Sequence, residues 1–268
     1  MLFSFVKYQG TGNDFVIVDN RDNRFPINDH ALIAQLCHRN YGIGADGVIA
    51  IESDTTSDFF MRYFNADGHE GSLCGNGSRC AVHYANALGL TQKEVVFRAA
   101  DGLHQAQFVG EEVAFSLHDV SKWETHKEAL FIDTGSPHHI AFVDDVAAVD
   151  VATTGAAIAH GAPYFADGTN VNFVEVTAAD SLNVRTYERG VEAETLSCGT
   201  GVTAAAIGAH LSKRVSAEKI SIQTKGGVLT VSFTATSNGY EAVVLQGPAT
   251  AVYLSLIHIS EPTRRLNI

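Results

Sequence analysis

The chain reads as one text written twice, and that repetition limits its possible folds more than any other feature. "TGNDFVIVD" at Thr11–Asp19 returns as "TGSPHHIAFVD" at Thr134–Asp144, a shift of 123 residues. "GADGVIAIE" from Gly44 returns as "GTNVNFVEV" from Gly168, and Cys-Gly-x-Gly at Cys74 returns at Cys198, both shifted by 124. "VVFRAADGLHQAQF" from Val95 matches "ISIQTKGGVLTVSF" from Ile220 at a shift of 125. Turns and helix starts look alike everywhere, which accounts for one such match. Four in the same order at a near-constant offset indicate a duplication. The boundary falls between Leu117 and Trp123, giving halves at 1–118 and 119–253.

Each half is rich in short β-branched or aromatic runs bounded by Gly, Asp or Asn, which predict strands. In the first half these are "FVIVDN", "DGVIAIE", "FFMRYF" and "VVFRAA"; in the second, "IAFV", "VNFVEV", "NVRTY", "ISIQT" and "VLTVSF". The Ala-rich stretches Ser78–Leu88 and Val202–Leu211 predict one main helix per half, with shorter helices at His30–His38 and Thr153–His160. Strand-rich halves with few long helices make an α+β fold of two homologous domains in which strands wrap each main helix. The formal charge of −12 and the lack of a Lys/Arg run argue against a nucleic-acid partner. The start "MLFSFVKYQG" does not read as a signal peptide. No apolar run approaches the roughly 18 residues of a membrane span, so no membrane partner is expected. Four cysteines in so long a chain fit reduced thiols in the cytoplasm.

A cysteine directly before Gly-x-Gly at a helix start combines two properties. The first N–H groups of a helix lack intrahelical partners and carry the positive end of its dipole. A thiolate there is stabilised, with an expected pKa lowered into the roughly 3.5–7.5 range. The glycines let backbone N–H groups come close to an anion such as a carboxylate. Two such motifs in a duplicated fold can face one another and aim two thiols at opposite sides of one carbon. That arrangement suits inversion: one group takes a proton from one face and the other gives a proton to the opposite face. The developing charge on the neighbouring carboxylate would be met by the two helix starts. Cys37 and Cys80 lie inside helical text without a glycine cradle and read as core packing. No Cys-x-x-Cys or His-Glu-x-x-His spacing is present, so no metal site is expected.

The ordered motifs "GTGNDFVIVD", "GIGADGVI", "FNADG", "CGNGSRC", "GSPHH", "GTNVNFVEV", "YERGVEAETLSCGTG" and "QGPATAVY", from Gly10 to Tyr253, resemble the diaminopimelate epimerases. The resemblance implies two similar domains, each a small barrel-like mixed sheet around a central helix, with the active site in the cleft between them. It implies cofactor-independent epimerisation of LL-2,6-diaminoheptanedioate to the meso form, on the route to lysine and peptidoglycan precursors. Neither pyridoxal phosphate nor metal is implied. Cys74 and Cys198 match the catalytic cysteines, and Gly75, Asn76, Gly199 and Thr200 match the cradle for the reacting carboxylate. Asn13, Asn65, Asn170, Glu188 and Arg189 match positions that hold the substrate, chiefly its distal end. His138 matches a supporting histidine, with Ser136 beside it. Glu188 and Arg189 would supply opposite charges for a distal ammonium and carboxylate, the arginine gripping bidentately; in isolation they read as a surface ion pair. The expected partners are an amino-acid substrate and a second copy of the chain in a homodimer.

Two departures from the family pattern stand out. Gly47 replaces the glutamine that some members carry after "GIGxD", and Ser136 replaces the asparagine of "GNPH"; both predict a binding network that is shorter or water-filled. From Leu254 the text "LSLIHISEPTRRLNI" resembles a translated sequencing adapter, so residues 254–268 are expected to be non-native, with weakened edge-strand pairing. The competing reading is a genuine strand, "LSLIHI", with a charged tail. Two other functions fit paired cysteines: a proline or hydroxyproline racemase, and a binding module or redox switch in which Cys74 and Cys198 join.

Overall fold

The computed structural model describes residues 2–71, 73–126 and 129–259. The first half runs β1 (Leu2–Gly10), β2 (Asn13–Asp19), α1 (His30–Cys37), β3 (Gly47–Glu52), β4 (Phe59–Asn65), α2 (Gly75–Ala87), β5 (Glu94–Ala99), β6 (Gly102–Val109) and β7 (Glu112–Ser116). The second runs β8 (Trp123–His126), β9 (Ala129–Asp133), β10 (Pro137–Phe142), α3 (Val151–Ala159), β11 (Asn170–Ala178), β12 (Ser181–Glu188), β13 (Ala193–Thr195), α4 (Gly199–Leu211), β14 (Lys219–Thr224), β15 (Gly227–Thr236) and β16 (Gly239–Gly247). A final strand, β17 (Thr250–His258), follows.

Strand pairing repeats the duplication read from the text. Phe15 of β2 pairs in parallel with Gly47 of β3, and 123 residues later His138 of β10 pairs in parallel with Asn170 of β11. Phe59 of β4 pairs in parallel with Phe97 of β5, as Leu182 of β12 does with Ile222 of β14. Each half therefore forms a mixed sheet around its long helix. The end of the chain also returns to the first half. After β7 the chain crosses so that β8 lies antiparallel to β9, and after β16 it crosses back so that β17 lies antiparallel to β1. β7 and β16 pair antiparallel, with Phe115 opposite Leu245, and join the two sheets.

α4 is apolar on every side, with Ala204, Ala205, Ala206, Ile207 and Ala209 fully buried, as a helix enclosed by a sheet must be. Small side chains let the strands approach its axis, while Ile207 fills the gap; burying such a side chain contributes about 1.5–3 kcal/mol. Both long helices begin three residues earlier than the Ala-rich text predicts, because Gly75 and Gly199 occupy the first helical position. A glycine costs little there, where the cap rather than propensity fixes the backbone.

Leu254–His258 continue β17 in regular register, Leu2 opposite His258 and Val6 opposite Leu254. Weakened edge pairing, expected if this text were foreign, is not seen. Ile257 packs on the cluster of Phe5, Val16 and Ile33, while Leu254 and Leu256 face outward. The rest of the suspected tail, 260–268, lies outside the described residues. Among the described residues, no helix is long and apolar enough to cross a membrane.

Candidate active site

The duplicated cysteines occupy duplicated backbone positions. Cys74 caps α2 with φ −121° and ψ 114°, and Cys198 caps α4 with φ −124° and ψ 113°. The two helix starts meet at the seam between the halves: a Cβ built on Gly199 would stand 3.6 Å from the Cα of Gly75 and 2.9 Å from Leu245 Cδ2. Only a residue without a side chain lets the two positive helix ends come this close. The first-turn N–H groups of Gly75, Asn76, Gly199 and Thr200 have no intrahelical acceptor. Together they form one concentrated site for an anion.

Side chains from both halves lock this seam. Asn76 Nδ2 donates to the carbonyl and hydroxyl oxygens of Ser197 (3.2 and 3.1 Å), while Thr11 Oγ1 lies 2.6 Å from Ser197 Oγ. Thr11 sits in the turn between β1 and β2 with φ +49°, a region a β-branched residue rarely visits. Its bonds to Ser197, Asn76 and Arg79 hold it there. Arg79, fully buried on α2, donates to Pro248 O (3.2 Å), Gly75 O (3.4 Å), Asn76 Oδ1 (2.9 Å) and Thr11 Oγ1 (3.1 Å). Among the described residues it has no carboxylate within ion-pair distance. Sequence reading missed Arg79, Thr11 and Ser197, although each lies inside a quoted motif.

The two thiols differ in their neighbours. Cys74 Sγ accepts from the Gly77 N–H (3.5 Å) and donates to Asn13 Oδ1 (3.6 Å). Cys198 Sγ lies 3.5 Å from Thr200 Oγ1, whose other contact is His138 Nε2 at 2.9 Å. The amide of Asn172 fixes the proton positions in this chain. Its Nδ2 donates to His139 O and to His138 Nδ1, and its Oδ1 accepts from Thr186 Oγ1. His138 Nδ1 is therefore an acceptor, Nε2 carries the proton and donates to Thr200, and the Thr200 hydroxyl donates to the Cys198 sulfur. Burial, with some help from the charge of Arg189, holds His138 down to about 3, so its ring stays neutral. His139 turns the other way, to Tyr164 OH at 2.8 Å.

The expected lowering of the thiol pKa values is not found. Burial pushes Cys74 up to about 11, against the opposing pull of the Gly77 and Asn76 N–H groups and of Arg79. Burial pushes Cys198 up as well, and Glu188 adds to it. The helix start favours the thiolate, but in this structure desolvation outweighs it. Cys37 and Cys80 are core residues, as their text suggested.

The remaining predicted residues arrange themselves around this pair. Asn13 donates to Asp46 Oδ2 (2.6 Å), and Asp46 accepts from Arg39 in turn (2.6 Å). Glu188 and Arg189 make no ion pair with one another. Burial raises the Glu188 carboxyl, while Arg189 is exposed, bonded to Asp167 O (2.7 Å) and without a carboxylate partner among the described residues. Asn170 Oδ1 accepts the Arg189 N–H (2.8 Å), and its Nδ2 donates to Ser136 Oγ (2.9 Å) and Pro137 O. Asn170 thus positions Arg189 with all its polar atoms engaged. Asn65 is exposed at the end of β4. At Gly47 a Cβ would stand 2.5 Å from Phe64 O and 2.6 Å from Tyr63 Cε2, so the backbone of β4 and the tyrosine ring close on the glycine. Among the described residues, no group of three or more His, Cys, Asp or Glu is placed to hold a metal ion.

Two like domains, each bringing a cysteine-capped helix start to a common seam, define the class: a duplicated α+β fold of the racemase and epimerase type. A phenazine biosynthesis protein of the PhzF family from Bacillus anthracis shares it with a TM-score of 0.78 at 15% identity, covering 97% of this chain and 100% of that one. A hydroxyproline epimerase from Agrobacterium vitis shares it with a TM-score of 0.69 at 14% identity, over 97% and 94%. The sequence narrows the class. The family model described as diaminopimelate epimerase matches residues 5–123 and 130–252, and a diaminopimelate epimerase of Flavobacterium psychrophilum is 43% identical over 252 residues, covering 94% of this chain and 98% of that one. This chain belongs to the diaminopimelate epimerase family.

Proposed function

We propose that this protein interconverts LL- and meso-2,6-diaminoheptanedioate in the cytoplasm, using Cys74 and Cys198 as the two proton-transfer groups. The observation that carries this reading is the meeting of the two cysteine-capped helix starts at Gly75 and Gly199. The reacting carboxylate is held by the first-turn N–H groups of both helices, which places its α-carbon between the two sulfurs. The working form has one thiolate and one thiol. The thiolate takes the α-proton, charge spreads into the carboxylate against the helix starts, and the opposite thiol protonates the other face. The sulfurs exchange roles with each turnover, so no net proton is gained or lost. Arg189, held without a carboxylate partner, is available to a distal carboxylate, and Glu188 to a distal ammonium.

Reduced protein in D₂O with LL-diaminopimelate, followed by NMR, should show deuterium entering the α-position as meso product forms. L-Proline and 4-hydroxyproline should not exchange; exchange with these alone would overturn the substrate assignment. Alanine at either cysteine should abolish epimerisation, and full activity in either variant would defeat the two-base reading.

A further inference from the structure

We propose that Tyr63 contacts the substrate and helps set its specificity, its hydroxyl meeting the distal amino-acid end alongside Asn65. The inference rests on the function proposed above. Side chains alternate along β4, so Met61, Tyr63 and Asn65 share one face. That face is turned toward α2, since Met61 Sδ lies 3.7 Å from Ser78 Oγ. Asn65, one of the positions matched to substrate binding, sits beyond Tyr63 on the same face.

Two glycines make the space for the ring. A Cβ on Gly71 would stand 2.8 Å from Tyr63 Cδ1 and Cε1, and one on Gly47 would stand 2.6 Å from Cε2. Any side chain at either position would displace the ring. Phe15 packs edge-on to it, with centroids 6.2 Å apart. The ring is therefore held on three sides.

The hydroxyl makes no hydrogen bond among the described residues. A wedge of apolar bulk would be served equally well by phenylalanine, whereas a phenol that no protein group satisfies needs a partner when the cleft is occupied. Its ionisable neighbours come from both halves: Cys74 and Asp46 from the first, Glu188 from the second. A Cβ on Gly71 would also stand 3.2 Å from Asn65 Nδ2, so the ring and the Asn65 amide flank the same glycine. Burial, reinforced by the ionisable neighbours, pushes the phenol pKa up, so the hydroxyl stays protonated at any working pH.

Tyr63→Phe removes only the hydroxyl. With LL-diaminopimelate its KM should rise about tenfold, the loss expected for one hydrogen bond to a charged group, while kcat stays within about threefold. An unchanged KM in Tyr63→Phe would overturn the proposal. Wild-type turnover of diaminopimelate is the control: if it fails, the proposed function falls first, and if it holds, the outcome bears on Tyr63 alone.

Discussion

Replacing Arg79 by methionine tests whether a buried positive charge beneath the helix starts carries part of the carboxylate binding. Arg79 is fully buried, and its contacts among the described residues are all to neutral oxygens. Its Nη1 lies 3.4 Å from Gly75 O, which belongs to the same peptide unit as the Asn76 N–H. With ordinary bond and hydrogen-bond lengths, a carboxylate accepted by that N–H stands about 7 Å from the guanidinium charge. At an effective dielectric of about 20, that separation is worth about 2.4 kcal/mol, or roughly fiftyfold. Arg79→Met should therefore lower kcat/KM for α-proton exchange by roughly fiftyfold. Arg79→Lys, which keeps a cation but loses the planar fork, should fall less. Denaturant midpoints for both variants separate this effect from unfolding, since four acceptors lose their donor in the methionine protein. A folded Arg79→Met enzyme with kcat/KM within about threefold of wild type would refute the electrostatic reasoning.

Three more outcomes follow from the same geometry. Thr200→Val leaves the Nε2–H of His138 buried without a partner and should cost about 1–3 kcal/mol in denaturant melts, whereas Thr200→Ser should restore both stability and rate. His138 and His139 are held to about 3 and 4 in the fold, below the ordinary 6.5, so the unfolded chain binds more protons between those values. Stability is then full above about pH 6.5 and is lost as pH falls, with Asp14, held at about 2 by Arg39 and Lys7 despite burial, adding a further loss below about 3.8; thermal melts that stay flat from pH 7 to 4 would contradict this. Cys74 is the more exposed thiol and the less strongly raised, so iodoacetamide followed by peptide mass spectrometry should find Cys74 alkylated first; faster labelling of Cys198 would reverse the assignment.

The parts of the fold that were legible in the text are those whose cause is local. "FVIVDN" and "VNFVEV" became strands because their β-branched and aromatic side chains suit a pleat buried on both faces. The short strands β8 and β13 carry no such signal, since Trp123–His126 and Ala193–Thr195 are extended by pairing with β9 and β12. The return of β17 to β1 joins residues about 250 apart and leaves no local mark. The cysteine caps were legible because a helix start is written in a few consecutive residues. Their protonation was not, because desolvation is set by everything that closes over the sulfur. Arg79 likewise reads as an ordinary basic residue on a helix; only the fold withholds a carboxylate from it.

Duplication explains why the two thiols share a backbone, and it also makes their difference informative. Cap angles that agree within a few degrees give the two cysteines the same main-chain geometry. Tuning comes from residues that the repeat did not copy. At Cys74 a backbone N–H and Asn13 meet the sulfur, with Arg79 on the same helix, whereas at Cys198 the contact is Thr200, oriented by His138 and Asn172. A symmetric substrate carbon would be served by two identical groups. An α-carbon carrying four different substituents, one of them leading to a second amino-acid end, presents unequal faces. In the reaction proposed above, the divergence around Cys74 and Cys198 would meet the two faces of such a carbon with differently surrounded thiols.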